Sequence, residues 1–194
     1  MTEKEKQFAG ELYHSGDKEF LGDIFKAREL TRKYNSLPVG DAKSQCEILE
    51  ELFAEVGENV DIDTPFYCDF GNRIHIGNNV IIGMNCIIID GNEVHIGNNT
   101  MIASGVQICT ASHPVKVSER IVKNWSKEMQ RNWYHTYAQP VKIGNNVWIG
   151  ANVTILPGVT IGDNSTIGAG SVVNKDIPSD VVAAGVPCKI IKKL

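Results

Sequence analysis

Nowhere does the 194-residue chain carry an apolar run approaching the ~18 residues that a bilayer span requires, so no membrane partner is expected. Its opening residues, MTEKEKQF, lack the apolar centre of a secretory signal, and the expected location is the cytoplasm. Positive charge is not in excess either. Lys plus Arg number 19 against 23 Asp plus Glu, a formal charge of −4, which argues against nucleic acid as a partner because phosphate recognition rests on clustered cations. The five cysteines, at 46, 68, 86, 109 and 188, are odd in number and contain no Cys-x-x-Cys pair, so neither a disulfide framework nor a zinc ribbon is expected. The second half lacks both the helical period of 3.6 and the strand period of 2, which excludes a long amphipathic helix and an ordinary hairpin array.

What it has is a period of six. Across residues 141–173, VKIGNNVWIGANVTILPGVTIGDNSTIGAGSVV, one register is Ile143, Ile149, Ile155, Ile161, Ile167 and Val173. A second lies two residues earlier: Val141, Val147, Val153, Val159, Ser165 and Ser171. Each unit reads as a short strand with one large and one smaller side chain inward, followed by a polar turn of the GNN, GDN or GAG kind. Three units close one triangular coil, whose backbone polar groups are satisfied only by coils above and below, so several coils and a cap at each end are required. The same phase runs upstream through Ile74, Val80 and Cys86 beside Ile76, Ile82 and Ile88, then through Val94, Thr100 and Val106 beside Ile96, Ile102 and Ile108. Two extra residues bulge at Asp90 and Gly91, and the segment from about Ser112 to Gln139 leaves the coil as an excursion loop. Its Trp125, Trp133, Tyr134 and Tyr137 favour a packed excursion, with a helical turn after Ser126. Three helices precede the coils, over 2–14, 17–34 and 41–56, too few for a core of their own and better placed as a cap on the first coil. The expected organisation is therefore a helical cap over 1–57 and a β-helix domain over 58–194, with the loop at 112–140 and a last strand and tail from NKDIPSDVVAAGVPCKIIKKL.

Candidate chemistry is sparse. His113 follows the last hexad strand before the excursion, and Pro114 biases it to an extended backbone. An imidazole at the edge of a rigid coil suits general-base work, and a histidine closing a loop end is the plain alternative. His75 and His95 occupy matching places in IHIG and VHIG and should stack outward about 4.8 Å apart, read as solvent-facing rungs rather than a zinc pair. Trp148, between inward Val147 and Ile149, should project outward, where it meets another subunit or a flat ligand. Lys175, Lys189, Lys192 and Lys193 gather positive charge near the last coils, either as a solvated end or as a seat for a phosphorylated cofactor.

The hexads, HPV at 113–115, IGNNVWIGANVTILPGVTIGDNSTIGAGSVV at 143–173 and AAGVPCKIIKKL at 183–194 resemble the maltose/galactoside O-acetyltransferase family, and AGELY at 9–13 and ARELTRKYN at 27–35 resemble its helical front. The resemblance implies a mainly β fold, a left-handed parallel β-helix of hexapeptide repeats, assembled as a homotrimer with active sites between subunits and using acetyl coenzyme A without a metal. By the same resemblance His113 is the catalytic base; Trp148, Ala151 and Ala169 line the coenzyme channel; and Asn174, Lys175, Lys189 and Lys192 hold its nucleotide end. Asp69 matches an acceptor-binding position, with Asp17 and Arg28 in the helical region over the acceptor, and Asn85 and Asp90 complete the expected acceptor set. Two departures stand out. Gly83 occupies the place where the family commonly has an acceptor-binding asparagine, so Asn85 would serve instead, and the excursion is longer than in typical relatives. Beside a saccharide acetyltransferase, three alternatives follow: an antibiotic O-acetyltransferase of the same fold, a zinc enzyme whose three histidines converge across a subunit interface, for which only His75, His95 and His113 compete, and a non-catalytic assembly solenoid.

Overall fold

The computed structural model describes residues 1–129 and 131–194. Hexad strands two to four residues long wind into a prism with three parallel faces. The first face stacks Glu55–Val56, Ile74–Ile76, Val94–Ile96, Val141–Ile143 and Thr160–Ile161. The second runs from Val60–Ile62 through Val80–Ile82, Met101–Ile102, Trp148–Ile149 and Thr166–Ile167 to Val181–Ala184, which Lys189–Lys193 then joins antiparallel. The third stacks Phe66–Cys68, Cys86–Ile89, Gln107–Cys109, Thr154–Ile155 and Val172–Val173.

Both inward registers are buried, including Cys86 as a small apolar group and Ser165 and Ser171 at full burial. The hydroxyl of Ser165 stays satisfied by donating to the Pro178 carbonyl at 2.8 Å. The turns are held from outside by a stack of asparagines. Asn59, Asn79, Asn99, Asn146 and Asn164 all have φ between 55° and 60°, a conformation asparagine tolerates. Each donates its Nδ2 to the Oδ1 one coil on, at 2.8 to 3.1 Å, and the column ends on Asp180. Glycine before them answers a different need: a Cβ on Gly97 would stand 2.6 Å from the Gly144 backbone of the next coil.

The cap is helical but shorter than its sequence pattern. Helix α1 covers Glu3–Phe8, not 2–14, with Thr2 and Glu5 forming the expected capping box. Residues after it turn away, and Tyr13 pairs with Thr136 of the excursion. A single 3₁₀ turn, Lys18–Phe20, leads into α2, Leu21–Asn35. Helix α3 is Ala42–Leu52, capped by Asp41, and the apolar Val56 that looked like its last turn opens the first face instead. The helices lie against the first coil: the Tyr34 hydroxyl donates to the Ile62 carbonyl at 2.6 Å, and Asn35 bonds the Phe66 amide and carbonyl at once. Asp90 and Gly91 do not bulge outward; both are buried.

Candidate active site

The coil ends its third-face strand at Cys109, and the chain then pairs Ala111–Ser112 antiparallel with Tyr137–Ala138, so the excursion leaves and returns at one point. Between them lie a helical turn, Val117–Arg120, the expected turn after Ser126, now a 3₁₀ turn at Lys127–Met129, and a bridge from Ile121 to Tyr134. It is packed, but by backbone pairing rather than by burying its tryptophans: Trp133 remains 52% exposed. Two groups fasten it inward. Buried Asn92 donates to the carbonyls of Gln7 and Ala138, tying the end of α1 to the returning strand. Asn132 donates to Ser15 Oγ at 3.2 Å and to the Tyr134 hydroxyl at 3.0 Å.

Beside the Asn132 contacts lies a cavity of about 470 Å³ whose lining includes Arg28, Asp69, His113, Asn132 and Tyr134. His113 is solvent-accessible, and its ring and that of Tyr134 meet edge to face with centroids 5.0 Å apart. Its Nδ1 lies 2.9 Å from the His135 carbonyl oxygen. A carbonyl only accepts, so Nδ1 carries the proton and Nε2 keeps its lone pair free. Asp69 is half-buried, and burial raises its carboxyl above the usual carboxylate range while Arg28 and Arg73 pull it back down. Of the expected acceptor residues, Asp69 and Arg28 therefore share the cavity with His113.

Three others do not. Asp90 is fully buried, and its Oδ1 accepts the amide hydrogens of Asp69 at 2.9 Å and Phe70 at 3.0 Å. It positions Asp69 and cannot touch an acceptor. Asn85 sits at a turn with φ 60° and Asp17 caps the 3₁₀ turn through Glu19; neither lines the cavity. Gly83 has no room for a side chain, since a Cβ there would fall 2.7 Å from the Ser104 amide nitrogen. Among the polar cavity residues, those that the sequence pattern did not assign to the site include Tyr13, Ser15, Ser112, Asn132 and Thr136. Their only sequence signal is membership of segments where the hexad period fails.

On the second face, Trp148 projects outward at 55% exposure, in register with Met101 and, one coil further, Ile81, both about half exposed. At the adjoining corner small residues stack: Gly170 donates its amide to the Ala151 carbonyl, and Ala169 is exposed beside them. Asn174, Lys175, Lys189 and Lys192 are all exposed at the C-terminal end of the prism. His75 and His95 stand on the first face, and His113 does not join their cluster.

A hexad prism with a helical cap and a single histidine-bearing excursion defines a hexapeptide-repeat transferase. Residues 140–175 match the bacterial transferase hexapeptide family, 73–109 the hexapeptide repeat of succinyl-transferase, and 6–57 the maltose acetyltransferase hexapeptide capping motif. The galactoside O-acetyltransferase of Escherichia coli (strain K12) is 40% identical over 194 residues, covering 100% of this chain and 89% of that protein. A maltose O-acetyltransferase from Clostridium difficile 630 superposes with a TM-score of 0.90 at 42% identity, covering 100% of this chain and 98% of the other. A galactoside acetyltransferase in complex with coenzyme A gives 0.90 at 39%, covering 100% and 91%. The chain belongs to the maltose/galactoside O-acetyltransferase family, and it is an acetyltransferase.

Proposed function

We propose that the protein transfers an acetyl group from acetyl coenzyme A to a hydroxyl of a small saccharide or glycoside, with His113 as general base. The observation that carries this reading is the 2.9 Å approach of His113 Nδ1 to the His135 carbonyl oxygen: a carbonyl accepts, so a neutral ring held there keeps its proton on Nδ1 and turns Nε2 toward an acceptor hydroxyl. Asp69 and Arg28, opposite charges that line the cavity with His113, suit the donors and acceptors of a polyol, and Tyr134 and Asn132 line it as well. Asp90 holds the Asp69 backbone in place.

The thioester supplies an activated acyl group; the residues that fit it are the outward indole of Trp148, the small corner formed by Ala151 and Ala169, and the cations Lys175, Lys189 and Lys192 with Asn174 for the nucleotide end. Small side chains let a narrow arm approach the backbone, and lysines supply charge to phosphates without a bidentate fork. The half-exposed apolar rungs Ile81, Met101 and Trp148 support a homotrimer, with sites completed between copies in the cytoplasm.

Free-thiol release from acetyl coenzyme A, measured against a panel of sugars and of hydroxylated antibiotics, tests the reading and separates the two acceptor classes. His113→Ala should lower turnover by roughly 10²–10⁴-fold while coenzyme A binding by calorimetry stays intact. Full activity in that variant would remove the base, and failure to bind coenzyme A in the wild type would favour a scaffold.

A further inference from the structure

The first face carries a cluster that the acetyl-transfer reading leaves unused. Its outward positions stack Glu55, His75, His95 and Lys142 on successive strands. His75 and His95 are rung partners with ring centroids 4.5 Å apart and planes inclined by 12°. Glu93 reaches along its own strand so that Oε2 lies 3.1 Å from His95 Nε2, and Glu55 Oε2 lies 3.5 Å from His75 Nδ1. One donor atom from each of His75, Glu93 and His95 falls within 4.8 Å of the others. None of these residues lines the His113 cavity.

We propose that His75, His95 and Glu93 form a binding site for one divalent transition-metal ion of the zinc class. Two imidazoles and one carboxylate are a nitrogen-rich set that suits Zn²⁺, Co²⁺ or Ni²⁺, whereas Mg²⁺ and Ca²⁺ require oxygen donors. In a tetrahedral site, donors ~2.1 Å from the ion stand about 3.4 Å apart, so the three side chains need to close by about 1 Å, which two half-buried imidazoles and an exposed carboxylate allow. Glu55 completes the arrangement: its Oε2, 3.5 Å from His75 Nδ1, stands where a carboxylate can orient that ring so that Nε2 ligates, the usual carboxylate–histidine–metal relation. Two carboxylates against one ammonium, Lys142, leave the surroundings net negative, and the exposed lysine is free to swing aside. The ion would clip adjacent coils together from outside, so its effect is on stability rather than on the acetyl-transfer step.

Metal-stripped full-length protein titrated with zinc chloride by calorimetry should show one saturable site per chain, with a raised thermal unfolding midpoint. His95→Gln and Glu93→Gln should each weaken binding at least tenfold while leaving acetyl transfer and the circular dichroism spectrum unchanged. Because five free thiols are also present, cobalt is the discriminating probe: nitrogen and oxygen ligation gives visible d–d bands without a thiolate charge-transfer band. Absence of saturable zinc binding, undiminished binding in a His75→Gln/His95→Gln double variant, or a strong thiolate band would each overturn the proposal. None of these outcomes bears on the assignment of His113.

Discussion

Ile155 and Asn132 are both ordered, by opposite means. Ile155 is fully buried, pairs with Ile108 on one side and Val173 on the other, and belongs to a column repeated along the prism. Asn132 sits in the excursion, where Val115 is 91% exposed and Val117 62%, and its own anchors are a few polar atoms. The coils gain their stability from many equivalent burials, each worth roughly 1.5–3 kcal/mol, so no outward residue is essential to them. The excursion has no such reserve, and each polar bond is a single point of attachment. The proposed base stands on the seam: the coil delivers His113, but the excursion's His135 carbonyl orients its ring.

The largest effect tests the coil side. Ile155→Ala removes side-chain volume from a column that cannot collapse, and should cost about 2–5 kcal/mol in chemical unfolding. Trp133→Ala, a larger truncation but half-exposed in the excursion, should stay within about 0.5 kcal/mol. Equal losses in the two variants would erase the contrast.

The same contrast explains what the sequence reveals. Inward registers, turns, the outward Trp148 and the stacked pair His75 and His95 all follow from a period of six, because every coil solves the same packing problem. Period alone misassigns Val56, whose apolar character serves a strand as well as a helix, and Asp90, where the eight-residue spacing from Ile88 to Ile96 reads as a bulge and not as the buried acceptor of two amides. His113 is legible from the place where the period stops. Ser15, Asn132 and Thr136 are not, since they meet only through contacts more than a hundred residues apart in the chain.

Asp90 joins the two regimes, and burial raises its carboxyl to about 6 from an ordinary 3.8, against the opposing effect of the Phe70 and Asp69 amides. Between those values the folded chain keeps a proton that the unfolded chain releases. Stability therefore falls as pH rises through that window, by up to roughly 3 kcal/mol, and this contribution is flat above it. Asp90→Asn keeps the acceptor oxygen for both amides and loses the titration. Urea midpoints at pH 4 and 7 should show the wild type losing ground to the variant at the higher pH, and parallel changes in the two proteins would contradict the assignment.

Asn132→Ala gives the most local effect. Its side chain fills the space above Gly16, where a Cβ would stand within 2.6 to 2.7 Å of the Asn132 amide group, so the excursion and the segment after α1 are fitted to each other there. Deleting the amide removes bonds to Ser15 and Tyr134, each worth about 1 kcal/mol, without touching His113, the coils or the Trp148 face. If the excursion is the acceptor wall, KM for the acceptor should rise about tenfold, with kcat and coenzyme A affinity nearly unchanged, because a factor of ten corresponds to about 1.4 kcal/mol. A fall in kcat at constant KM would instead mean that the bond network orients His113 through His135, placing the excursion's main contribution in the chemistry and not in acceptor recognition.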